Sequence, residues 1–453
     1  MSAPPIDVVD RLERLAAHAP AGVIDPDAVW THGRRRQRGR LAAALAAVVA
    51  VGLLGTTTTP LLLARVQRVE PADSAQPMVL PDVVRQPGSW ESAFPSVPGR
   101  LSAVGTGTRS GLWSDRNAFW GVSATTGESR FLDLPDALEL GEVAVSHDGS
   151  RVAYWIATTA DADALGQAGE SAMLADGVAV LDLETGERDV WTIESDHGLW
   201  IGGLAWAGDV LWWSAGPAQA REDGVLTART RTHTWDLGTD EREDATSPAG
   251  RRVSANGVGD APGGFVEQGR SGRVEVVTGD RDPRTLRLEL PAGAPGEAGT
   301  VHAALSTDGA RLAALLMPDA STYDSTPKPV VVGSVADTRV ALRQVDDAVA
   351  GTVLGWRSAT EVVVAGLDEV EEGRPQRVHR AWALDVVSGG RTDLTEFAGN
   401  TPQVAADAWT AEVVPAPDAP FAPDPRVVGA GGILALVFCL SLWRDLRRRR
   451  GHA

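Results

Sequence analysis

Histidine and carboxylate side chains are the groups in this sequence that could perform acid–base chemistry or hold a polar ligand. The eight histidines are scattered along 453 residues. The most suggestive pair is Asp196–His197, in the segment ESDHGLW, where a carboxylate and an imidazole are adjacent. A turn-forming aspartate beside an exposed histidine explains this pair equally well. Asp161 and Asp163 resemble part of a calcium loop, but its later oxygen ligands and terminal glutamate are missing.

Motifs of established enzyme chemistry are missing from the sequence. It contains no Gly-x-Ser-x-Gly elbow, no His-Glu-x-x-His pair, no Walker loop and a single cysteine, Cys439. We therefore predict a protein that is not an enzyme, with no catalytic residue, no cofactor and no metal. Trp206 and Trp356 are either wedges between repeat units or a platform for a ligand or partner.

Two similar segments indicate which elements position these residues. They read VAVSHDGSRVAYW at 143–155 and AALSTDGARLAAL at 303–315. In each, an apolar run passes through Ser-x-Asp-Gly into a second apolar run, which predicts two strands joined by a tight turn. The turn residues are Ser146, Asp148 and Gly149 in the first segment and Ser306, Asp308 and Gly309 in the second. Because the positions correspond, we expect Gly149→Val and Gly309→Val to cost similar stability.

The segments belong to a longer repeat with a period near 50 residues. Ser146, Trp206, Asn256, Ser306 and Trp356 follow one another at intervals of 60, 50, 50 and 50. A second series of turns interleaves with the first, at Thr126-Gly127, Thr185-Gly186, Thr239-Asp240, Thr278-Gly279, Ala336-Asp337 and Ser388-Gly389. Two hairpins per period make a four-stranded unit, which predicts an all-β fold, a β-propeller of about six or alternatively seven blades. A β-sandwich with chance Asp-Gly turns is the competing interpretation.

The segments SHDGSRVAYW and STDGARLAAL resemble the Ser-x-Asp-Gly motif of TolB-type and related WD-like propellers. The layout of a short cytosolic helix, an arginine cluster, an apolar span and a propeller resembles membrane-anchored proteins of high-GC Gram-positive bacteria. Only two repeats keep Asp-Gly intact. The resemblance implies a binding platform, and it transfers no catalytic residue to this chain.

Two apolar runs predict membrane spans. Leu41–Ala64 follows a cluster of five arginines, and Val427–Trp443 precedes another five. Because arginine clusters stay on the cytoplasmic side, both termini should be cytoplasmic and the acidic middle extracytoplasmic. A cleaved signal peptide is the alternative for the first run, although its leader of 40 residues is long. A cell-wall sorting signal is the alternative for the second, but Leu-Pro-x-Thr-Gly is missing.

The predicted organisation has seven parts. Proline-rich linkers bracket the propeller, and 404–409 could pair with the first blade and close the ring. In chain order the parts are a cytosolic helical segment (1–33), the arginine cluster with the first transmembrane helix (34–64), a linker (65–99), the extracytoplasmic propeller (100–413), a linker (414–426), the second transmembrane helix (427–443) and a basic cytosolic tail (444–453).

Composition restricts the partners. The net charge is −18 although both ends are basic, so the middle is strongly acidic and nucleic acid is not expected to bind. We predict a binding, sensing or scaffolding module whose partner, a protein or small ligand, docks on one face of the ring. One alternative is a propeller hydrolase or lyase, which would need two or more carboxylates and a histidine to converge at the channel mouth. Another is a transmembrane regulator whose N-terminal helix docks a transcription regulator.

Overall fold

The chain divides into two units, Met1–Gln67 with Arg426–Ala453, and Arg68–Pro425. The computed structural model describes residues 17, 77–94, 97–158, 174–220, 226–245, 258–268, 272–279, 281–294, 298–317, 326–367, 378–398, 402–418, 424–427, 437–441 and 443–444. Within these ranges, no helix has the length and apolar character needed to cross a membrane. The first predicted span and most of the second lie outside the described residues, so both stay predictions.

The second unit is almost entirely β-structure. As far as Ala245, its described strands are β1 (Val79–Pro81), β2 (Val83–Arg85), β3 (Leu101–Ser110), β4 (Asp115–Ser123), β5 (Ser129–Phe131), β6 (Val143–Val145), β7 (Arg151–Ala157), β8 (Leu174–Asp182), β9 (Arg188–Thr192), β10 (Leu199–Ala207), β11 (Val210–Ala220), β12 (Leu226–Ala228), β13 (Arg231–Asp236) and β14 (Glu241–Ala245). Those that follow are β15 (Val258–Ala261), β16 (Gly264–Gln268), β17 (Arg273–Thr278), β18 (Arg281–Glu289), β19 (Gly299–Leu305), β20 (Arg311–Met317), β21 (Lys328–Ala336), β22 (Arg339–Ala350), β23 (Thr352–Trp356), β24 (Glu361–Leu367), β25 (Val378–Asp385), β26 (Arg391–Ala398), β27 (Gln403–Val404) and β28 (Glu412–Val414). A short 3-10 helix spans Ala406–Trp409.

The strands form antiparallel groups of four. In the described part of the chain these groups are β27 with β3–β5, β6–β9, β10 with β11, β13 and β14, β15–β18, β19–β22, and β23–β26. The first strand of each group is its inner strand. In the first five groups the inner strand or its hairpin partner contacts the following group, and the inner strand of the sixth group, β23, contacts the 3-10 helix that follows β27. This arrangement is a β-propeller, as the repeat predicted.

Burial on both faces of each group explains why the repeats occur as a ring. In β7, Val152 and Tyr154 pack into a core shared with the first group, whereas Ala153 and Trp155 pack into a core shared with the third. Successive side chains of a strand point to opposite faces, so this strand is apolar throughout rather than alternating. A single group could not bury both faces, and its neighbours must cover them.

The ring is closed by pairing between its two ends. β27 pairs antiparallel with β3, with Gln403 opposite Val104 and Val404 opposite Ala103. The side-chain Oε1 of Gln403 also accepts a hydrogen bond from the backbone N–H of Val145, at 3.1 Å. The closure predicted for the segment near 404–409 is confirmed. It removes the open sheet edge that the first group would otherwise present.

Further strand pairing between the two ends of the unit involves residues that the sequence analysis assigned to the linkers. β1 pairs in parallel with β28, and β2 pairs in parallel with β26. The N–H of Asp82, between β1 and β2, donates to the carbonyl of Val414, and its carboxylate accepts the N–H of Ala416. Proline lacks a backbone N–H donor but keeps its carbonyl acceptor, so it is tolerated in strands at a sheet edge. The many prolines of the linkers therefore did not prevent these short strands.

The two Ser-x-Asp-Gly turns have matching hydrogen bonds. In the first, the Ser146 hydroxyl donates to Asp148 Oδ1 at 2.7 Å and accepts the N–H of Arg151 at 2.9 Å. The corresponding distances in the second turn, for Ser306, are 2.6 Å and 2.9 Å. Gly149 and Gly309 have φ values of 73° and 70°, the left-handed conformation that the Asp-Gly pair predicted.

Each of the six predicted turns of the second series joins two strands, and five of the six have a left-handed second residue. The second residue of the turn has a positive φ at Gly127, Gly186, Asp240, Asp337 and Gly389. At each of these places the turn joins the last two strands of a four-stranded group. A local turn preference therefore specified most of the outer hairpins.

Candidate functional site

The ring has two unlike faces. We call the face where the inner strands begin the start face and the opposite one the end face. On the end face the strands are joined by short turns of two to five residues. The longer connections, such as those from β7 to β8, from β14 to β15 and from β24 to β25, leave from the start face. Binding residues of rigid scaffolds are found mainly on such longer connections.

A polar cleft lies on the start face at the beginning of β10. Its volume is about 570 Å³, and it is lined by Glu194, Ser195, Asp196, His197, Pro217, Ala218 and Gln219. Asp196 is exposed and His197 is half-buried. The Ser195 hydroxyl donates to the carbonyl of Gly198 at 2.8 Å, which orders the turn that carries them. The pair singled out in the sequence thus lines a cleft, together with residues of the neighbouring strand β11.

Trp206 and Trp356 occupy equivalent places at the ends of two inner strands. Their side chains are only 3% and 1% exposed. Trp206 Nε1 donates to the carbonyl of Ala144, and Trp356 Nε1 donates to the carbonyl of Ala304, both at 3.1 Å. In each case the acceptor belongs to the inner strand of the preceding group. Both rings are therefore wedges between neighbouring groups, and neither presents a surface to a ligand.

A second polar group lies inside the ring, toward the end face. We call His147, Asp260 and Asp407 the channel cluster. His147 Nε2 is 3.7 Å from Asp260 Oδ1, and these side chains are 23% and 19% exposed. The N–H of Asp407, in the 3-10 helix after β27, donates to the carbonyl of His147 at 3.0 Å. The second group, the fourth group and the closing segment each contribute one member.

Burial favours the uncharged forms of the three side chains in the channel cluster. Desolvation raises the pKa of Asp260 to about 7 and raises the pKa of Asp407, where the charge of Asp148 adds to the effect. Desolvation also lowers the pKa of His147. At neutral pH the histidine is therefore mainly neutral and Asp260 is partly protonated, so their contact is not a full ion pair. Carboxyl groups with a raised pKa next to a histidine can exchange protons with a bound molecule.

Glu142 is a further buried acid, placed just before β6 on the start face. Desolvation raises its pKa to about 7. Its Oε2 atom is buried and has no hydrogen-bond partner among the described residues. Near pH 7 such a carboxyl group is about half protonated, because its charged form would lack compensation.

The structure brings together residues that sequence reasoning had left apart. His147 lies within the first Ser-x-Asp-Gly segment, but nothing in its neighbourhood distinguishes it from the other histidines. Asp260 and Asp407 have no motif around them. Only the closure of the ring places them beside His147. The described residues hold no group of three or more side chains suited to a metal ion. Asp161, Asp163 and Asn256 lie outside the described residues.

The stability of the ring should depend on pH through Asp260. Because its pKa is raised above the unfolded value, its stabilising contribution is complete below pH 4 and is lost as the pH rises through 7. Asp260→Asn should remove this loss, so the variant should gain roughly 2–3 kcal/mol relative to the wild type between pH 5 and pH 8. Denaturant unfolding of the full-length chain at both pH values measures the difference.

Asp308→Asn provides the opposite control. The hydroxyl of Ser306 lowers the pKa of Asp308, so the contribution of this residue is lost as the pH falls. An Asp260→Asn variant that tracks the wild type from pH 5 to pH 8 would contradict a titrating channel cluster.

Comparisons with known proteins give likenesses only among solved structures. No family model matches the chain, and no curated protein matches it. An oligogalacturonate lyase from Vibrio parahaemolyticus has 12% identity and a TM-score of 0.36, over 72% of this chain and 80% of that one. A candidate TolB from Agrobacterium tumefaciens has 15% identity and a TM-score of 0.30, over 56% and 79%. A candidate 6-phosphogluconolactonase from Bacteroides fragilis has 16% identity and a TM-score of 0.30, over 68% and 98%.

The class of the protein follows from its own sheets and turns. It is a β-propeller, with four-stranded antiparallel groups, Ser-x-Asp-Gly turns after two inner strands and a strand, β27, that closes the ring. The structures that resemble it include both enzymes and a candidate TolB.

Proposed function

We propose that this chain is a six-bladed, membrane-tethered extracytoplasmic propeller that acts as a non-catalytic binding, sensing or scaffolding module. The cleft on the start face carries the proposal, since it combines Asp196 and His197 with the face from which the long connections leave. Its carboxylates, imidazole and amide suit a polar ligand or peptide that carries a positive charge. The blade number corresponds to the four-stranded groups, each taken as one blade.

A screen for stabilising ligands tests the binding site. We expect a library of sugars, amines and short peptides to contain compounds that raise the Tm of the full-length chain. The double variant Asp196→Asn/His197→Gln should lose this shift, while its own stability should change by no more than about 0.5 kcal/mol because these residues lie on a surface loop. Asp133→Asn, an exposed change on the same face outside the cleft, should keep the shift. A shift that survives the double variant would refute binding in the cleft.

An enzyme of the hydrolase or lyase class is the second candidate. The observation that favours it is the channel cluster, in which two carboxylates and one histidine converge as such an enzyme would require. Asp260 would serve as the acid, since its raised pKa leaves it partly protonated at neutral pH, and His147 would serve as the base. Turnover of a library compound that disappears in both His147→Gln and Asp260→Asn would replace the non-catalytic proposal.

The membrane tether rests on the two apolar runs and the arginines beside them. A reporter that is active only outside the cytoplasm should be active when fused after residue 250 and silent after residue 453. Replacing the first arginine cluster by acids should disturb this orientation, since positive charge holds that end inside; the residues are Arg34, Arg35, Arg36, Arg38 and Arg40. Activity of the C-terminal fusion would refute two spans.

A further inference from the structure

Three arginines lie side by side on the outer strands of two neighbouring groups. In the register of the sheet, Arg273 of β17 is opposite Arg287 of β18, and Arg287 is opposite Arg339 of β22. We call these residues the arginine row. The row crosses the parallel pairing of β18 with β22, where the fourth group is joined to the fifth. Sequence reasoning does not reveal it, because its members are 14 and 52 residues apart.

The three side chains share one exposed face of the sheet. Directly paired residues on adjacent strands point to the same side, about 4.8 Å apart along the hydrogen-bonding direction. All three arginines are exposed. The residues next to them, which point to the other side, are buried in the core between the two groups: Val274, Leu286, Leu288 and Val340. The packing of this core therefore determines that the arginine side chains point to the exposed side of the sheet.

The charge of the row is poorly neutralised by the protein itself. Among the described residues, Arg273 and Arg287 have no carboxylate within 4 Å, and Arg339 has only Glu289, at 3.9 Å. Like charges directly opposite each other on neighbouring strands destabilise a sheet. The arrangement is all the more unusual in a chain with 60 acidic and 42 basic residues, in which acids to pair with are plentiful.

We propose that the arginine row is a binding site for a multivalent anion, with two or three phosphate or carboxylate groups about 5 Å apart. Guanidinium groups have a planar set of donors that matches the oxygens of such groups. A single small anion can contact only one or two members, whereas a linear one can follow the row across the three strands. Because the row joins two groups of strands, a bound anion also links them and stabilises the ring. This site is separate from the start-face cleft.

The net charge of the protein allows binding at the arginine row to be distinguished from non-specific electrostatic attraction of anions. A chain of net charge −18 repels anions at long range, so measurable binding requires a local site. Inorganic tripolyphosphate is the probe, with inorganic monophosphate for comparison, in calorimetric titrations of the full-length chain. We expect tripolyphosphate to bind more tightly than monophosphate and to raise the Tm.

Single substitutions in the row provide the decisive measurement. Arg287→Gln and Arg273→Gln should each weaken tripolyphosphate binding roughly tenfold, as expected when one charge-assisted contact is lost. Arg284→Gln is the matched control, because Arg284 is exposed on the same strand but lies opposite Val276, outside the row. It should leave the affinity unchanged. The proposal is overturned if tripolyphosphate does not bind, or if all three variants weaken binding equally.

Discussion

A Gly149→Ala substitution is expected to destabilise the full-length chain by roughly 3–5 kcal/mol. An added Cβ would lie in severe overlap with the backbone carbonyl oxygen of Leu101, which cannot move freely because it belongs to β3 of the first group. The left-handed backbone of Gly149 adds about 1–2 kcal/mol of strain, and overpacking adds 1–3 kcal/mol. Relieving the overlap would move Leu101 and Gly149 apart, which would also weaken the hydrogen bond from Leu101 N–H to the Gly149 carbonyl, now 2.8 Å.

The corresponding change at Gly309 should cost far less. There the added Cβ meets only Leu305 Cδ2, at 4.0 Å, so about 1–2 kcal/mol of backbone strain is the whole expected effect. The sequence predicted equal costs for the two glycines, and the structure contradicts this because one turn packs against the neighbouring group and the other does not. Denaturant unfolding of both variants measures the difference. Equal losses at Gly149 and Gly309 would refute the packing argument.

Trp356→Ala should be the second severe substitution, with an expected loss of about 4–6 kcal/mol. Truncating a fully buried tryptophan leaves a large cavity between two groups of strands, which costs 3–5 kcal/mol. The hydrogen bond from Trp356 Nε1 to the carbonyl of Ala304 is also lost, which adds roughly 1 kcal/mol. Trp206→Ala should behave alike, since its contacts are equivalent. Thermal and denaturant unfolding measure both losses.

Two other substitutions define what the wedge contributes. Trp356→Phe keeps most of the apolar contact but loses the Nε1–H donor, so its cost should lie between those of the wild type and Trp356→Ala. Trp113→Ala removes a ring that is 97% exposed, so it should change stability by no more than about 0.5 kcal/mol. A Trp356→Ala chain that unfolds like the wild type would refute the wedge.

Features that depend on a few consecutive residues could be predicted well. The Ser-x-Asp-Gly turns followed from one left-handed glycine and one aspartate, and the structure has both with the same hydrogen bonds. The segment that closes the ring was predicted because it lies one further repeat period, about 50 residues, after Trp356. The two tryptophans were recognised as equivalent because their spacing matched the repeat. In each case a short pattern repeats at regular intervals, so the information is present in the sequence.

The start-face cleft was only partly predictable. Asp196 and His197 attracted attention because they are adjacent, but their cleft also needs Pro217 and Gln219, which β11 carries back to the start face. The antiparallel pairing of β10 with β11 decides that neighbourhood, with Leu199 opposite Pro217. A linear pattern does not state which residues lie opposite each other when a bulge shifts the register, as it does within β10.

The sequence by itself determined the repeating strand pairs, their turns and the ring that must follow when each unit has two apolar faces. Alternation and turn chemistry are local, and they act the same way in every repeat. Only the tertiary structure decided the convergence of His147 with Asp260 and Asp407, the arginine row and the unequal surroundings of the two turn glycines. Those features arise from contacts between residues far apart in the chain, where the curvature of the ring and the register of the sheets fix which side chains meet.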